Sequence, residues 1–263
     1  MRKVTVIIPN YNYGRFLDTC LFSVLCQQTS FPVEILVSDD GSTDQSLEVL
    51  EYFKNILTGH KFSFRYFSRS NSGEIQNTKF LLEQATGDYI AYLDADDYWI
   101  DPNKLQNQYE IMENNEDLSM CFTAQIIYNE NEKKFVPLRT GNYFFGPPAH
   151  LQKEEYTSSD FIANQHNCVT SSSRFFVNYP DLFQKYMEEF PYSDWPMNFE
   201  LSLRGKIEYL QYPSYVYRVH TNSLTYPAET KDDNSNSQEN WLSERRKTLN
   251  ERKRQYLEPQ NLN

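Results

Sequence analysis

The chain has 263 residues and 39% hydrophobic content, enough to bury the core of one large α/β domain. Its 25 lysines and arginines against 36 aspartates and glutamates leave a net charge of −11, which argues against a general nucleic-acid-binding surface. Cys20, Cys26, Cys121 and Cys168 form no C-x-x-C pair and His60, His150, His166 and His220 are dispersed, which argues against a structural zinc site and fits a reducing cytoplasm.

The β-branched run Val4 to Ile8 ends at Pro9; it is too short for a signal peptide and reads as a first strand. A loop over 11–14 precedes the periodic Phe16, Leu17, Cys20, Leu21, Val24 and Leu25, which predict a helix. Val33 to Val37 is a second strand, and Ser38 to Asp44 offers hydroxyls and carboxylates that can cap the helix carrying Leu47, Val49, Leu50 and Phe53. A third strand over 62–67, a helix from Gly73 with Phe80 to Leu82, and a fourth strand over 88–93 repeat the unit. Such βα repetition predicts a Rossmann-like, doubly wound, mostly parallel sheet with functional groups at the strands' C-terminal ends.

Beyond the fourth strand the pattern predicts a helix over 104–113 and a long strand over 118–128. Residues 129–165 read as polar and loop-rich, a place for an acceptor, with Glu154 and Glu155 as reserve carboxylates there. A strand over 168–177, helices over 182–190 and 195–203, and two strands over 206–212 and 214–219 follow. No run approaches a membrane span.

The run Asp94-Ala95-Asp96-Asp97 stands directly after the fourth strand. Three anions so close repel one another unless water, a cation or strong donors neutralise them, and a divalent metal meets that need. A solvated acidic turn ahead of the helix near Asp101-Pro102 is the alternative. No strand–helix junction carries G-x-G-x-x-G or G-x-x-x-x-G-K-[ST], so phosphate is held by other means.

Taken in order, Val6-Ile7-Ile8-Pro9-Asn10-Tyr11-Asn12, Val37-Ser38-Asp39-Asp40-Gly41-Ser42-Thr43-Asp44, Asn71-Ser72-Gly73 with Asn77, Thr86-Gly87-Asp88-Tyr89-Ile90 and Leu93-Asp94-Ala95-Asp96-Asp97 resemble the family 2 glycosyltransferases of the GT-A fold. The resemblance covers residues 1–128 and thins downstream to Asp194 and Tyr217-Arg218-Val219-His220. It implies a nucleotide pocket lined by Pro9 and Tyr11, with Asn71 and Gly73 beside it. Asp40, or Asp39 in its place, would accept a hydrogen bond from a base N–H, which favours uracil; helix capping is the alternative for both. Asp94 or Asp96 would meet the ribose or metal. Asp96 is the first choice as metal ligand, Asp97 its competitor, and His220 closes the site. Two carboxylates and an imidazole suit Mn²⁺, with Mg²⁺ as substitute. Arg218 and Lys79 are candidates for diphosphate contacts.

Pro191-Tyr192-Ser193-Asp194-Trp195 resembles the family's acidic motif before a helix, with Ser193 where Glu is usual. The resemblance implies that Asp194 is the catalytic base, with Trp195 as a sugar platform; an N-cap role is the alternative. In this reading residues 1–128 bind a UDP-sugar and 129–229 face the acceptor, a growing surface polysaccharide or glycolipid. The remainder, 230–263, is a polar linker and a basic helical tail. Residues 241–257 hold six basic residues against two acidic ones, interleaved with Trp241, Leu242, Leu249, Tyr256 and Leu257. That pattern fits peripheral contact with an anionic membrane at its cytoplasmic face, or packing against the acidic domain. A nucleotidyltransferase and a non-catalytic sugar-nucleotide-binding protein are the competing functions.

Overall fold

The computed structural model describes residues 1–136, 154–163, 169, 171–182, 192–221 and 223. The helices expected over 182–190 and 241–257 and the linker near 232–240 lie outside these residues, apart from the first position, Leu182.

The first half alternates strand and helix: β1 (Val4–Asn10), α1 (Gly14–Leu25), β2 (Val33–Asp39), α2 (Ser46–Ile56), β3 (Ser63–Ser68), α3 (Glu74–Gln84) and β4 (Tyr89–Tyr92). β5 (Tyr98–Trp99), α4 (Lys104–Asn114), β6 (Leu118–Asn129) and β7 (Lys134–Val136) follow. β8 (Glu155–Tyr156), α5 (Ser158–Ala163), a 3-10 turn (Ser171–Ser173), β9 (Phe175–Val177), α6 (Asp194–Arg204) and β10 (Lys206–Val219) complete the described elements. They build one sheet in the order β3-β2-β1-β4-β9-β6-β10-β5, with β7 on β6 and β8 on β10. β3, β2, β1 and β4 run parallel, β9 is antiparallel to both neighbours, and β6 and β10 are again parallel.

Period-two alternation divides the strands between two apolar layers. Val4, Val6 and Ile8 of β1 and Val33, Ile35 and Val37 of β2 join Leu17, Leu21 and Val24 of α1 and Leu50 and Phe53 of α2. Ile7, Leu36, Ile90 and Tyr92 point the other way, with Leu81 of α3 and Trp195, Phe199 and Leu201 of α6. With both faces covered, each central strand reads as a continuous apolar run, and this is why the sequence marks them so clearly.

Asp44 joins the starts of the first two helices: Oδ2 accepts from Gly14 N at 2.8 Å and Oδ1 from Ser46 N at 3.0 Å. A Cβ on Gly14 would lie 2.7 Å from Ser46 N, so only glycine allows this approach. The capping expected from the 38–44 segment therefore comes from Asp44; Asp39 and Asp40 cap neither helix.

Two expectations in the second half are corrected. Of the strand expected over 168–177, the described residues form a 3-10 turn at Ser171–Ser173 followed by the short β9. The two strands over 206–212 and 214–219 are the single β10, whose register against β6 shifts between Leu210 and Pro213 and again between Pro213 and Tyr215. Pro213 has no N–H to give the ladder, so the strand bulges there and continues. Among the described residues no helix is long and apolar enough to cross a membrane.

Candidate active site

The chain order reverses between β1 and β4: β2 and β3 lie on one side of β1, and β4 returns on the other. A crevice opens beyond the carboxyl ends of two strands at such a reversal. The loop after β1 supplies Tyr11 and Tyr13, and the loop after β4 supplies Asp94, Asp96 and Asp97.

Around β2's end the polar groups hold one another. Asp39 Oδ1 accepts from Asn10 Nδ2 at 2.7 Å and its Oδ2 from Ser42 N at 3.1 Å. Asp40 Oδ1 accepts from Ser72 N and Ser72 Oγ, both at 2.9 Å, and Oδ2 accepts from Gly73 N at 2.8 Å. Both carboxylates are buried, and Asp40 thereby fixes the exposed segment that carries Asn71 and Gly73. Gly41, at φ 78°, lies so close to this segment that a Cβ would stand 2.8 Å from Asn71 N. Pro9 is half-buried and Tyr11 is 46% exposed, its ring available to a flat ligand.

The acidic turn after β4 is built differently. Asp96 Oδ2 lies 3.0 Å from His220 Nε2, with Asp96 8% exposed and His220 1% exposed. The imidazole is held edge-on by Tyr13 at 5.4 Å and tilted against Phe16 at 4.8 Å. Asp97 is turned inward: Oδ2 accepts from Ser172 Oγ at 2.6 Å and Oδ1 from Arg218 N at 2.9 Å. Asp94 Oδ2 accepts from Ser171 Oγ and, at 3.3 Å, from Ser172 Oγ.

Burial, then the negative charges of Asp96 and Asp194, push the Asp94 carboxyl up to about 8. Asp97 is raised well above the carboxylate range by burial and by Asp96 and Asp94. Arg218 does not relieve them as a free cation. Its guanidinium is sandwiched between Phe16 at 4.8 Å and Tyr98 at 4.6 Å and donates from Nη1 to the Asp96 carbonyl at 3.1 Å. The arginine shapes the turn, so it is not an open diphosphate contact.

Among the described residues no three His, Cys, Asp or Glu side chains converge as a ligand cluster. Of the ligands expected from the sequence, Asp96 and His220 stand together. A carboxylate and an imidazole nitrogen beside an under-neutralised acidic turn fit a borderline divalent cation such as Mn²⁺.

Asp194 opens α6 with its carboxylate 39% exposed and its Oδ1 accepting from Arg174 Nη2 at 2.9 Å. No side-chain cap bond is made at this helix start. Glu74, the first residue of α3, reaches Ser193: its Oε2 accepts from Ser193 N at 3.0 Å and its Oε1 from Ser193 Oγ. A carboxylate from another helix thus stands beside position 193. Burial and Asp194 raise the Glu74 carboxyl.

Trp195 is corrected. It is 3% exposed and stacks on Phe199 at 5.1 Å inside the second apolar layer. Four residues along a helix share one face, so Trp195 and Phe199 point together into the core, and the indole offers no platform to a sugar. Arg174, Glu74, Ser171 and Ser172 were missed by sequence reasoning; the only signal was an arginine wedged between Ser171-Ser172-Ser173 and an apolar run.

A mostly parallel sheet with an acidic turn at its reversal point is the frame of the GT-A fold. The model of Glycosyl transferase family 2 matches residues 5–177, and the chain belongs to that family. An uncharacterized protein of Mycobacterium tuberculosis is 28% identical over 231 residues, covering 86% of this chain and 62% of that protein. An uncharacterized glycosyltransferase of Nostoc sp. is 34% identical over 162 residues, covering 56% of this chain and 48% of the relative. The chain therefore spans under two thirds of either relative. Among solved structures, residues 1–349 of S. aureus TarS in complex with UDP superpose with a TM-score of 0.57 at 23% identity, over 83% of this chain and 61% of that one. The mannosyltransferase PcManGT of Pyrobaculum calidifontis, in complex with GDP-Man and Mn²⁺, gives a TM-score of 0.58 at 15% identity, over 85% and 58%. These two show a shared fold.

Proposed function

We propose that the chain is a metal-dependent inverting glycosyltransferase that moves a sugar from a nucleotide diphosphate donor, UDP-linked, to a hydroxyl of a surface polysaccharide or glycolipid. The observation that carries this reading is the acidic turn at the sheet's reversal point, where burial and mutual repulsion raise the carboxyls of Asp94 and Asp97 while Asp96 and His220 stand paired at its edge. A cation bridging a nucleotide diphosphate would bring positive charge to this turn. The two proteins of the same fold, one in complex with UDP and the other with GDP-Man and Mn²⁺, agree with it.

Asp96 and His220 would hold the cation, which when bound neutralises charge on the leaving diphosphate. Asp97, held by Ser172 and Arg218, fixes the turn that presents Asp96. Tyr11 and Pro9 would line the base, and the Asn71–Gly73 segment, seated on Asp40, would close over the nucleotide's far side. Asp194 takes the proton of the acceptor hydroxyl as its oxygen attacks the anomeric carbon opposite the diphosphate. The basic segment 241–257, outside the described residues, would meet the anionic membrane that carries a lipid-linked acceptor.

The test is release of UDP from UDP-glucose, UDP-galactose and UDP-N-acetylglucosamine with Mn²⁺, in wild type and Asp194→Asn. Asparagine keeps an oxygen for Arg174, so UDP affinity and melting temperature should hold while turnover falls about 10²–10⁴-fold. Turnover near wild type removes Asp194 from the reaction, and no turnover of any donor by wild type removes the transferase reading.

A further inference from the structure

Burying a guanidinium is costly unless it is paired and fully hydrogen-bonded. Arg174 is 0% exposed, and three elements hold its plane. Nη2 donates to Asp194 Oδ1 at 2.9 Å and Nη1 to Asn198 Oδ1 at 3.5 Å, both on α6. Nε donates to the carbonyl of Ser171 in the 3-10 turn at 3.2 Å, and the guanidinium carbon lies 4.3 Å over the ring of Tyr92 on β4. The same turn delivers the Ser171 and Ser172 hydroxyls to Asp94. One buried cation thus links the acidic turn to the start of α6.

The pair is asymmetric. Its cation is fixed inside the core, whereas its carboxylate is 39% exposed. The backbone just before that carboxylate is pinned independently by Glu74, whose oxygens accept from Ser193 N and Oγ. Glu74 is braced by Thr78, which donates to Oε1 at 3.2 Å. Asp194 is therefore oriented through its side chain by Arg174 and through the preceding residue by Glu74.

We propose that Arg174 is a positioning residue for Asp194, engaging Oδ1 so that Oδ2 receives the acceptor's proton. This inference rests on the role of Asp194 as base in the preceding reading. In the step it serves, the acceptor oxygen forms its bond to the anomeric carbon and gives its proton to Asp194 Oδ2. The bond from that carbon to the diphosphate oxygen breaks, and its electron pair leaves with UDP. A carboxylate misplaced by about an ångström costs on the order of 10²-fold in such a step. Lysine retains the charge and most of the stem but lacks the fork that reaches Asp194, Asn198 and Ser171 together.

A double-mutant cycle on UDP release from the active UDP-sugar tests this, using wild type, Arg174→Lys, Asp194→Asn and the double variant, with UDP affinity and melting temperature measured on each. Arg174→Lys should lower turnover on the order of 10²-fold with KM for the donor unchanged. Added to Asp194→Asn, it should cost almost nothing more, because a residue acting through Asp194 has nothing left to position. Arg174→Met, which removes the charge while filling the space, should fall below lysine in the Asp194 background alone. An additive cycle, or a loss carried by donor KM, overturns the proposal while leaving Asp194 as base. Unfolding of both Arg174 variants assigns the arginine to the fold and overturns it as well. Wild-type turnover in Asp194→Asn defeats the base reading and this inference together.

Discussion

Two acidic clusters stand at the carboxyl ends of β2 and β4, the parallel strands on either side of β1, and they are finished in different ways. Asp39 and Asp40, after β2, have donors on every oxygen: Asn10 Nδ2, Ser42 N, Ser72 N and Oγ, and Gly73 N. Most of these are backbone amides, which tie two loops into one wall. Asp94, Asp96 and Asp97, after β4, receive two serine hydroxyls, one amide and an imidazole, and two of the three carboxyls are driven upward by burial and mutual repulsion. Adjacent aspartates in a sequence are therefore not one kind of feature. Backbone amides satisfy most of the first cluster, whereas the second is held mainly by hydroxyls and keeps two raised carboxyls.

That contrast can be sharpened most strongly at His220. His220→Ala should weaken Mn²⁺ affinity by about 10–100-fold, read by calorimetric titration of the ion, because the imidazole is half of the proposed donor pair. A change below twofold would detach His220 from any cation. The second cluster should answer in stability. In Asp40→Asn one amide group must face either Gly73 N–H or the Ser72 donors, so denaturant unfolding should lose about 1–3 kcal/mol. An unchanged midpoint would contradict the role of Asp40 as the seat of the 71–73 loop.

Ser172 supplies hydroxyl contacts to Asp94 and Asp97, so Ser172→Ala should cost about 1–2 kcal/mol in the metal-free protein. Mn²⁺ should recover part of this loss if the turn lacks positive charge, and recovery absent at saturating metal would count against that account. A further expected effect is a pH slope. The folded chain keeps a proton on Asp94 that the unfolded chain releases near the ordinary value of about 3.9, so the folded state binds more protons between that pH and about 8. This contribution makes metal-free stability decline as pH rises through the window. The decline should be shallower in Asp94→Asn and with Mn²⁺ present; equal slopes in melting temperature across the three conditions would break the comparison.

The first half of the fold was legible because β1 and β2 are covered on both faces, so their apolar runs are unbroken, and because α1 turns Leu17, Leu21 and Val24 onto one layer. The acidic turn was equally legible, since it follows directly on β4. The pairing of Asp96 with His220 spans 124 positions and depends on β10 lying beside β5; only the family resemblance pointed to it. Downstream, local pattern failed for identifiable reasons. Pro213 looked like a strand boundary, yet β10 bulges through it. Trp195 looked like a sugar surface beside an acid, but its helical phase carries it to Phe199 in the core. Arg174 follows three serines with no periodicity to place it, and its partner on α6 is 20 positions away. Asp44 was one hydroxyl or carboxylate among several, and only the approach of Gly14 to Ser46 selects it.

The most direct test of the central claim, that the turn after β4 holds a cation for a nucleotide diphosphate, is titration of UDP into the protein with Mn²⁺ or with EDTA, for wild type and Asp96→Ala. The account predicts that wild type binds UDP much more tightly with Mn²⁺ than without it, and that Asp96→Ala, still folded by its melting curve, loses that difference. Equal UDP affinity in all four conditions would contradict it.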